Sequence, residues 1–257
     1  MNRITSRDNP LLKELRRLSQ DSTAYRKLGQ VWLEGDHLCR AALARGVKPE
    51  HAVFAESQWL NAPKAWQQAA PRNTVVPDAL FADISGLESP ARMGFVMALP
   101  TVQAIQAMAP TVVLDRVQDA GNVGSILRSA AAFGFTQVVA MKGTAALWSP
   151  KVLRAGMGAH FGLHLVDGVS VDELDALQVP WLTTDVHAGH HLHDLVAQRQ
   201  LPMPCAWLLG HEGQGVSPEL ADKAQLSVRI AQPGGEESLN VAAAAAICLH
   251  ASATVRV

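Results

Sequence analysis

Leu208-Leu-Gly-His-Glu-Gly-Gln-Gly215 and, further on, Ser238-Leu-Asn-Val-Ala242 decide the fold of this 257-residue chain. The apolar run Ala206 to Leu209 reads as a buried strand. It breaks into a loop with glycines at 210, 213 and 215, where backbone without a Cβ lets a ligand come close. Ser217-Pro218 then opens a helix, with serine as N-cap and proline in the first position. A second strand, Leu226 to Ile230, runs into another glycine loop at Gly234-Gly235, and Ser238 is expected to cap the last helix. Two strand ends, two open loops and two helix starts on one rim of a sheet make a ligand site. In open α/β sheets, ligands sit outside the carboxyl ends of strands.

Upstream of this stretch the pattern is regular from Thr111 onward. Strands are expected at 111–115, 136–141, 162–166, 180–185, 205–210 and 226–230. Helices are expected at 122–133, 150–158, 171–177, 193–199, 217–224 and 239–253. Such alternation implies a parallel sheet covered on both faces. The loop Asp115-Arg-Val-Gln-Asp-Ala-Gly-Asn-Val-Gly124 follows a strand and opens a helix, so it belongs to the same rim. Asn122 is placed there as a cap or first-turn residue. In that helix Ile126, Ala130 and Phe133 share a face, while Arg128, about 200° round from Ile126, points away from it. An ordinary surface arginine would do the same.

Residues 1–99 form a small α/β domain with no catalytic constellation, joined by a proline-bounded linker at 100–110 to the domain 111–257. Its first helix, residues 10–20, puts Leu11, Leu15 and Leu18 on one stripe and basic residues on the other. Strands are expected at 31–34, 52–55, 75–77 and 93–98, with helices at 36–45 and 78–83.

A hydrophobic content of 48% supports a substantial core. No window approaches the roughly 18 apolar residues of a membrane span. The first residues carry no apolar signal segment, and Cys39, Cys205 and Cys248 are few and scattered. A cytoplasmic protein is expected, without a disulfide framework. The net charge of −1 argues against indiscriminate coating of nucleic acid. Residues 1–30 nevertheless hold seven basic against three acidic side chains. Arg16 and Arg17 there, and Lys151 and Arg154 later, are candidates to meet phosphate. A solvated helix face explains the same charges equally well. His187, His190, His191 and His193, with Asp194, show no recognised ligand spacing, so a polar loop is expected rather than a metal site.

The glycine loops match neither a P-loop, which needs GxxxxGK[ST], nor a dinucleotide fingerprint, which opens the first βα unit and places an acid about 20 residues on. Position 230 is isoleucine. The loops suit a ligand held by main-chain groups, with Leu209, Ile230 and Leu239 around a flat ring. An adenine nucleoside without phosphates fits that chemistry.

Three stretches together resemble the SpoU/TrmH branch of the SPOUT RNA methyltransferases: Gly121-Asn-Val-Gly-Ser-Ile-Leu-Arg128, Leu209-Gly-His-Glu-Gly-Gln-Gly215, and Ile230 followed by Ser238-Leu-Asn-Val-Ala-Ala243. The N-terminal region, with Asn9-Pro10 and Leu33-Glu-Gly-Asp-His37, resembles that family's L30e-like substrate-binding domain. The resemblance implies a trefoil-knotted α/β domain, S-adenosylmethionine as methyl donor without a metal, and a homodimer formed through the C-terminal domain. It implies 2′-O-methylation of a ribose in structured RNA, ribosomal RNA ahead of transfer RNA. A non-catalytic RNA-binding protein of the same fold would be expected to have lost Asn122 or Arg128. By position, Arg128, Asn122, Glu212, Ser238 and Asn240 match the family's catalytic motifs. Leu209, Gly210, Gly213, Ile230 and Leu239 match its donor-binding stretch. Two departures stand out. Ala231-Gln232 separate Ile230 from Pro233, and Gly156 stands where relatives often carry serine.

Overall fold

The computed structural model describes residues 1–87, 89–101, 103–186, 188–234 and 238–255; His187 and Gly235 of the sequence reading lie outside these. The chain divides into two compact units. One comprises Met1–Thr101 with Trp148–Phe161, the other Val102–Leu147 with Gly162–Val257. The segment 148–161 therefore packs with the N-terminal residues.

The first unit runs β1 (Asn2–Arg3), α1 (Pro10–Gln20), α2 (Ala24–Leu28), β2 (Gln30–Glu34), α3 (Asp36–Ala44), β3 (His51–Ala55), α4 (Glu56–Trp59), α5 (Lys64–Gln67), β4 (Arg72–Val76), α6 (Asp78–Ile84) and β5 (Met93–Ala98). Its sheet has the order β1-β4-β3-β5-β2, with β1, β4 and β3 parallel and β5 antiparallel to both of its neighbours. Helix α1 starts on Asn9, whose side chain accepts the N–H of Leu11 at 3.0 Å, and on Pro10. Its buried stripe is Leu12, Leu15 and Leu18, with Leu11 only half-buried. The expected Leu11 stripe is thus one residue out. Both leucines neighbour Leu15, at three and four residues, and the helix is rolled toward the three-residue row. The short helices α2, α4 and α5 escaped the sequence reading because four or five residues give too little periodicity to register.

The chain continues through β6 (Thr111–Leu114), α7 (Ala120–Ala132) and β7 (Gln137–Met141) of the second unit. Helix α8 (Pro150–Gly156) then returns to the first unit. There Arg154 donates Nη1 to the Gly86 carbonyl at 2.7 Å. The departure at Gly156 has a steric reason. A Cβ there would lie 2.5 Å from the ring of His160, a buried side chain that already occupies the space.

The second unit resumes with β8 (His164–Val169), β9 (Trp181–Thr184), β10 (His190–His191), α9 (Leu192–Ala197), β11 (Ala206–Leu209), α10 (Pro218–Ala221), β12 (Leu226–Arg229) and α11 (Val241–Thr254). Seven strands form one sheet in the order β10-β12-β9-β11-β6-β7-β8, every neighbouring pair parallel. Burial on both faces is what makes these strands continuous apolar runs such as Ala206-Trp-Leu-Leu209, all fully buried. Trp207 donates its ring N–H to Ser252 at 2.9 Å, fastening α11 to the central strand. The register pairs Leu209 with Leu114, so the loops leaving β11 and β6 begin side by side.

Local details correct the sequence reading. The expected helix 171–177 is a 3-10 turn, Asp172–Ala176, and 217–224 shortens to the single turn of α10. Ser238 does not cap the last helix. Asn240 does, its Oδ1 accepting Ala242 N at 2.9 Å and Ala243 N at 3.2 Å. Both residue types are good caps. Asn240 sits directly before Val241, whereas Ser238 is two residues too early. Helix α7 is capped by Asp119, which puts Asn122 in the first turn.

Candidate active site

Three motifs far apart in sequence meet at the C-terminal rim of the parallel sheet. Glu212, in the loop after β11, accepts Asp119 N at 2.9 Å and Gln118 N at 3.1 Å from the loop after β6. The same carboxylate accepts Asn122 Nδ2 at 3.1 Å. Asn122 Oδ1 in turn accepts Asn240 Nδ2 at 3.0 Å. Asn240 ends the series on the first amides of α11. Donors and acceptors therefore point one way, from the start of α11 through both asparagines into Glu212. A carboxylate that only accepts must be ionised. Burial pushes the Glu212 carboxyl up, but the bonds from Asp119 N, Asn122 and Gln118 N outweigh it and bring the pKa down to about 2. An asparagine amide has two donors and two acceptor lone pairs. Asn122 thus keeps one N–H and one lone pair for a ligand, in a fixed orientation.

Beside this wire lies a cavity of about 350 Å³. Leu209, Gly210, Gly213, Ile230 and Leu239 all line it, together with Glu212, Ser238 and, from the end of β9 onward, Thr184, Asp185 and Val186. Its size is at the small end for a cofactor-sized molecule. The loop after β11, which contributes much of the lining, folds back on itself. His211 N donates to Gly215 O at 3.0 Å and Gly215 N to His211 O at 2.8 Å. A Cβ at Gly210 would lie 2.0 Å from the Gly215 carbonyl carbon, so no side chain fits there.

Sequence reasoning passed over Asp115, which is only 1% exposed. Its carboxylate accepts Ser217 N at 2.7 Å and Arg116 Nε at 2.9 Å. Burial raises its pKa, yet the bonds from Arg116 and Ser217 more than compensate and hold it below the usual value. The only signal in the sequence was its place at the end of a strand on the rim.

The remaining candidates are scattered. Arg128 is exposed on α7 and is not among the residues lining the cavity, with no hydrogen bond or ion pair to a described residue. In the first unit, Arg16 is half-buried and donates to the Arg7 carbonyl at 2.9 Å, and Arg154 is spent on Gly86. Arg17 and Lys151 are exposed and, among the described residues, make no side-chain hydrogen bond, although Arg17 lies within electrostatic reach of Asp21. His191 and His193 stack at 5.1 Å, and no group of three His, Cys, Asp or Glu among the described residues is placed to hold a metal ion.

The profile of the SpoU rRNA Methylase family matches residues 109–250, and that of the MRM3-like substrate binding domain matches residues 9–94. The chain belongs to the SpoU rRNA methylase family. Its all-parallel sheet has the SPOUT architecture, preceded by a small α/β domain. An uncharacterised tRNA/rRNA methyltransferase of Synechocystis is 34% identical over 96% of this chain and 92% of its own length. The 23S rRNA (guanosine(2553)-2′-O)-methyltransferase RlmP of Bacillus subtilis is 30% identical over 97% of this chain and 98% of its own. Among solved structures, an AdoMet-bound rRNA methyltransferase from Sinorhizobium meliloti superposes with a TM-score of 0.83 at 26% identity, covering 98% of this chain and 97% of that one.

Proposed function

We propose that this SpoU-family protein transfers a methyl group from S-adenosylmethionine to a ribose 2′-oxygen in structured RNA, and that the RNA is ribosomal. The observation that carries the reading is the one-way wire from α11 through Asn240 and Asn122 to Glu212, which also lines the cavity. The cavity fits an adenosyl group. Leu209, Ile230 and Leu239 offer apolar contact on its lining, and Glu212 and Ser238 offer polar groups. When bound, S-adenosylmethionine supplies an electrophilic methyl on a good sulfonium leaving group, so the chain's own task is alignment and charge stabilisation.

Asn122 orients the incoming hydroxyl with its spare N–H and lone pair. Glu212 is an anchor here rather than a base, since its oxygens are committed to two amides and Asn122. A guanidinium is a poor base. Arg128 instead stabilises the developing alkoxide and grips the neighbouring phosphate, while the proton leaves to that phosphate or to water. Its lack of a hydrogen bond or ion pair among the described residues supports this role. Ser238, on the cavity wall, positions the sugar or the donor. Arg17 and Lys151 are the contacts to more distant phosphates, the first unit serving as the substrate-binding domain.

The protein acts in the cytoplasm as a homodimer built on α11. Ala243, Ile247 and His250 form an exposed stripe on that helix. Ile247 borders an apolar hollow of about 750 Å³ with Phe133, Leu192 and Val196. Among the described residues no helix is long and apolar enough to cross a membrane. Ile247→Asp is expected to convert the dimer to monomer by light scattering; a monomeric parent would remove the dimer from the scheme.

The deciding experiment supplies labelled donor with ribosomal and transfer RNA from cells lacking the protein. The expected product is one ribosomal ribose whose 3′ linkage resists alkali. Label on a base sinks the proposal, and label on transfer RNA moves the substrate to the second RNA class.

A further inference from the structure

The two loops that build the site hold each other. Glu212 reaches from the loop after β11 to the amides of Gln118 and Asp119 in the loop after β6. Asp115 reaches the other way, from the loop after β6 to the amide of Ser217 at 2.7 Å. Its backbone N–H also donates to the Leu209 carbonyl at 2.8 Å, just where the glycine loop departs. Arg116 completes the second clasp. It forks onto both oxygens of Asp115, at 2.9 and 3.4 Å, and donates Nη1 to Gln214 Oε1 at 3.1 Å. Arg116 holds a φ of 58°, a left-handed conformation that a non-glycine residue keeps only where its surroundings impose it. Gly143 leaves room for it, since a Cβ there would come within 3.2 Å of the Arg116 side chain. Gln214 and Val216 line the cavity, and Ser217 begins α10. Val216 packs this segment against the core and the main-chain bonds of His211 and Gly215 close its loop, while buried Asp115 with its partly exposed partner Arg116 ties Gln214 and Ser217 to the loop after β6.

We propose that Asp115 and Arg116 are positioning residues for the methyl donor. They hold residues 213–217 in the shape that forms the cavity wall, and so set donor affinity without taking part in methyl transfer. This rests on the methyltransferase reading above. It adds two residues outside the three motifs and separates their effect from that of Arg128.

The test uses the full-length protein and S-adenosylmethionine alone, with binding followed by calorimetry, then methylation kinetics with saturating RNA. Asp115→Asn keeps the shape but removes the charge that Arg116 pairs with. Asp115→Asn and Arg116→Ala are each expected to weaken donor binding about tenfold or more, the size of effect for a broken charged bond. At saturating donor, kcat and the KM for RNA stay within about twofold. Arg116→Lys should fall between, because lysine cannot fork onto a carboxylate and reach Gln214 as well. A folded Asp115→Asn variant that binds donor like the parent overturns the proposal, as does a fall in kcat with donor affinity unchanged. Should Asp115→Asn not fold, Gln214→Ala removes only the exposed end of the clasp. Weaker donor binding there supports the proposal and unchanged binding overturns it. Failure of the unaltered protein to bind the donor overturns the methyltransferase reading too, which distinguishes the two.

Discussion

The rim of the parallel sheet and the exposed basic side chains of the two units treat their polar groups in opposite ways. On the rim, Glu212, Asn122, Asn240, Asp115 and Arg116 each spend hydrogen bonds on one another or on backbone amides. Arg128, Arg17 and Lys151 spend none on described residues. Groups that must be pre-aligned are wired, because a site is fast when its dipoles need no reorganisation. Groups that must capture a large, flexible anion are left unwired. Their contribution then belongs to the complex and not to the folded chain.

The sharpest way to break this contrast is Arg128→Ala. Loss of a transition-state charge contact is expected to lower kcat by about 10²–10³-fold. Removing an exposed side chain with no partner among the described residues should leave the melting temperature nearly unchanged, within the roughly 0.5 kcal/mol typical of surface changes. A large fall in thermal stability would place Arg128 among the wired groups and erase the distinction.

Glu212→Gln should do both kinds of damage. One oxygen becomes a donor facing amides that already donate, so activity drops by about tenfold or more and the melting temperature falls. The pH dependence has a definite sign. The folded-state pKa lies near 2, below the ordinary 4.5, so the carboxylate stabilises the fold fully above pH 4.5. That contribution fades as pH drops from 4.5 toward 2. The gap in melting temperature between parent and Glu212→Gln should therefore close over this window. A constant gap would mean the carboxylate's charge is irrelevant to the loop.

Much of this arrangement was legible in the chain, and the exceptions have a common cause. The alternation of apolar runs with helical stripes indicated the parallel sheet, because strands buried on both faces are mostly apolar. Strand order was not legible. Nothing local says that β11 enters between β9 and β6, and the knot was implied by resemblance alone. The cap of the last helix was misplaced on Ser238 because Ser and Asn serve equally well in isolation. Asn240 is also held by a partner 118 residues away. Asp115 was passed over for the same reason, with Ser217 lying 102 residues downstream. Short-range chemistry shows in a sequence; the meeting of two loops does not.

The smallest expected effects sharpen the comparison within the basic residues. Arg17→Ala and Lys151→Ala should each raise the KM for RNA about two- to fivefold and reduce the salt slope by about one, as for the loss of single phosphate contacts. Arg154→Ala should act mainly through stability, since its guanidinium holds the Gly86 carbonyl at 2.7 Å. Salt titrations of RNA binding, paired with thermal melts, separate the two behaviours.

Gly210 and Gly213 sit three residues apart and look interchangeable as letters in a motif. At 210 an added methyl would collide with main chain at 2.0 Å, while at 213 the nearest atom is an imidazole at 3.8 Å. Descendants of this chain can therefore drift at the second position and remain folded, whereas the first is closed to every other amino acid even if the methyl donor were never bound. Persistence of glycine at 210 across a lineage would testify to architecture, and only persistence at 213 would testify to chemistry.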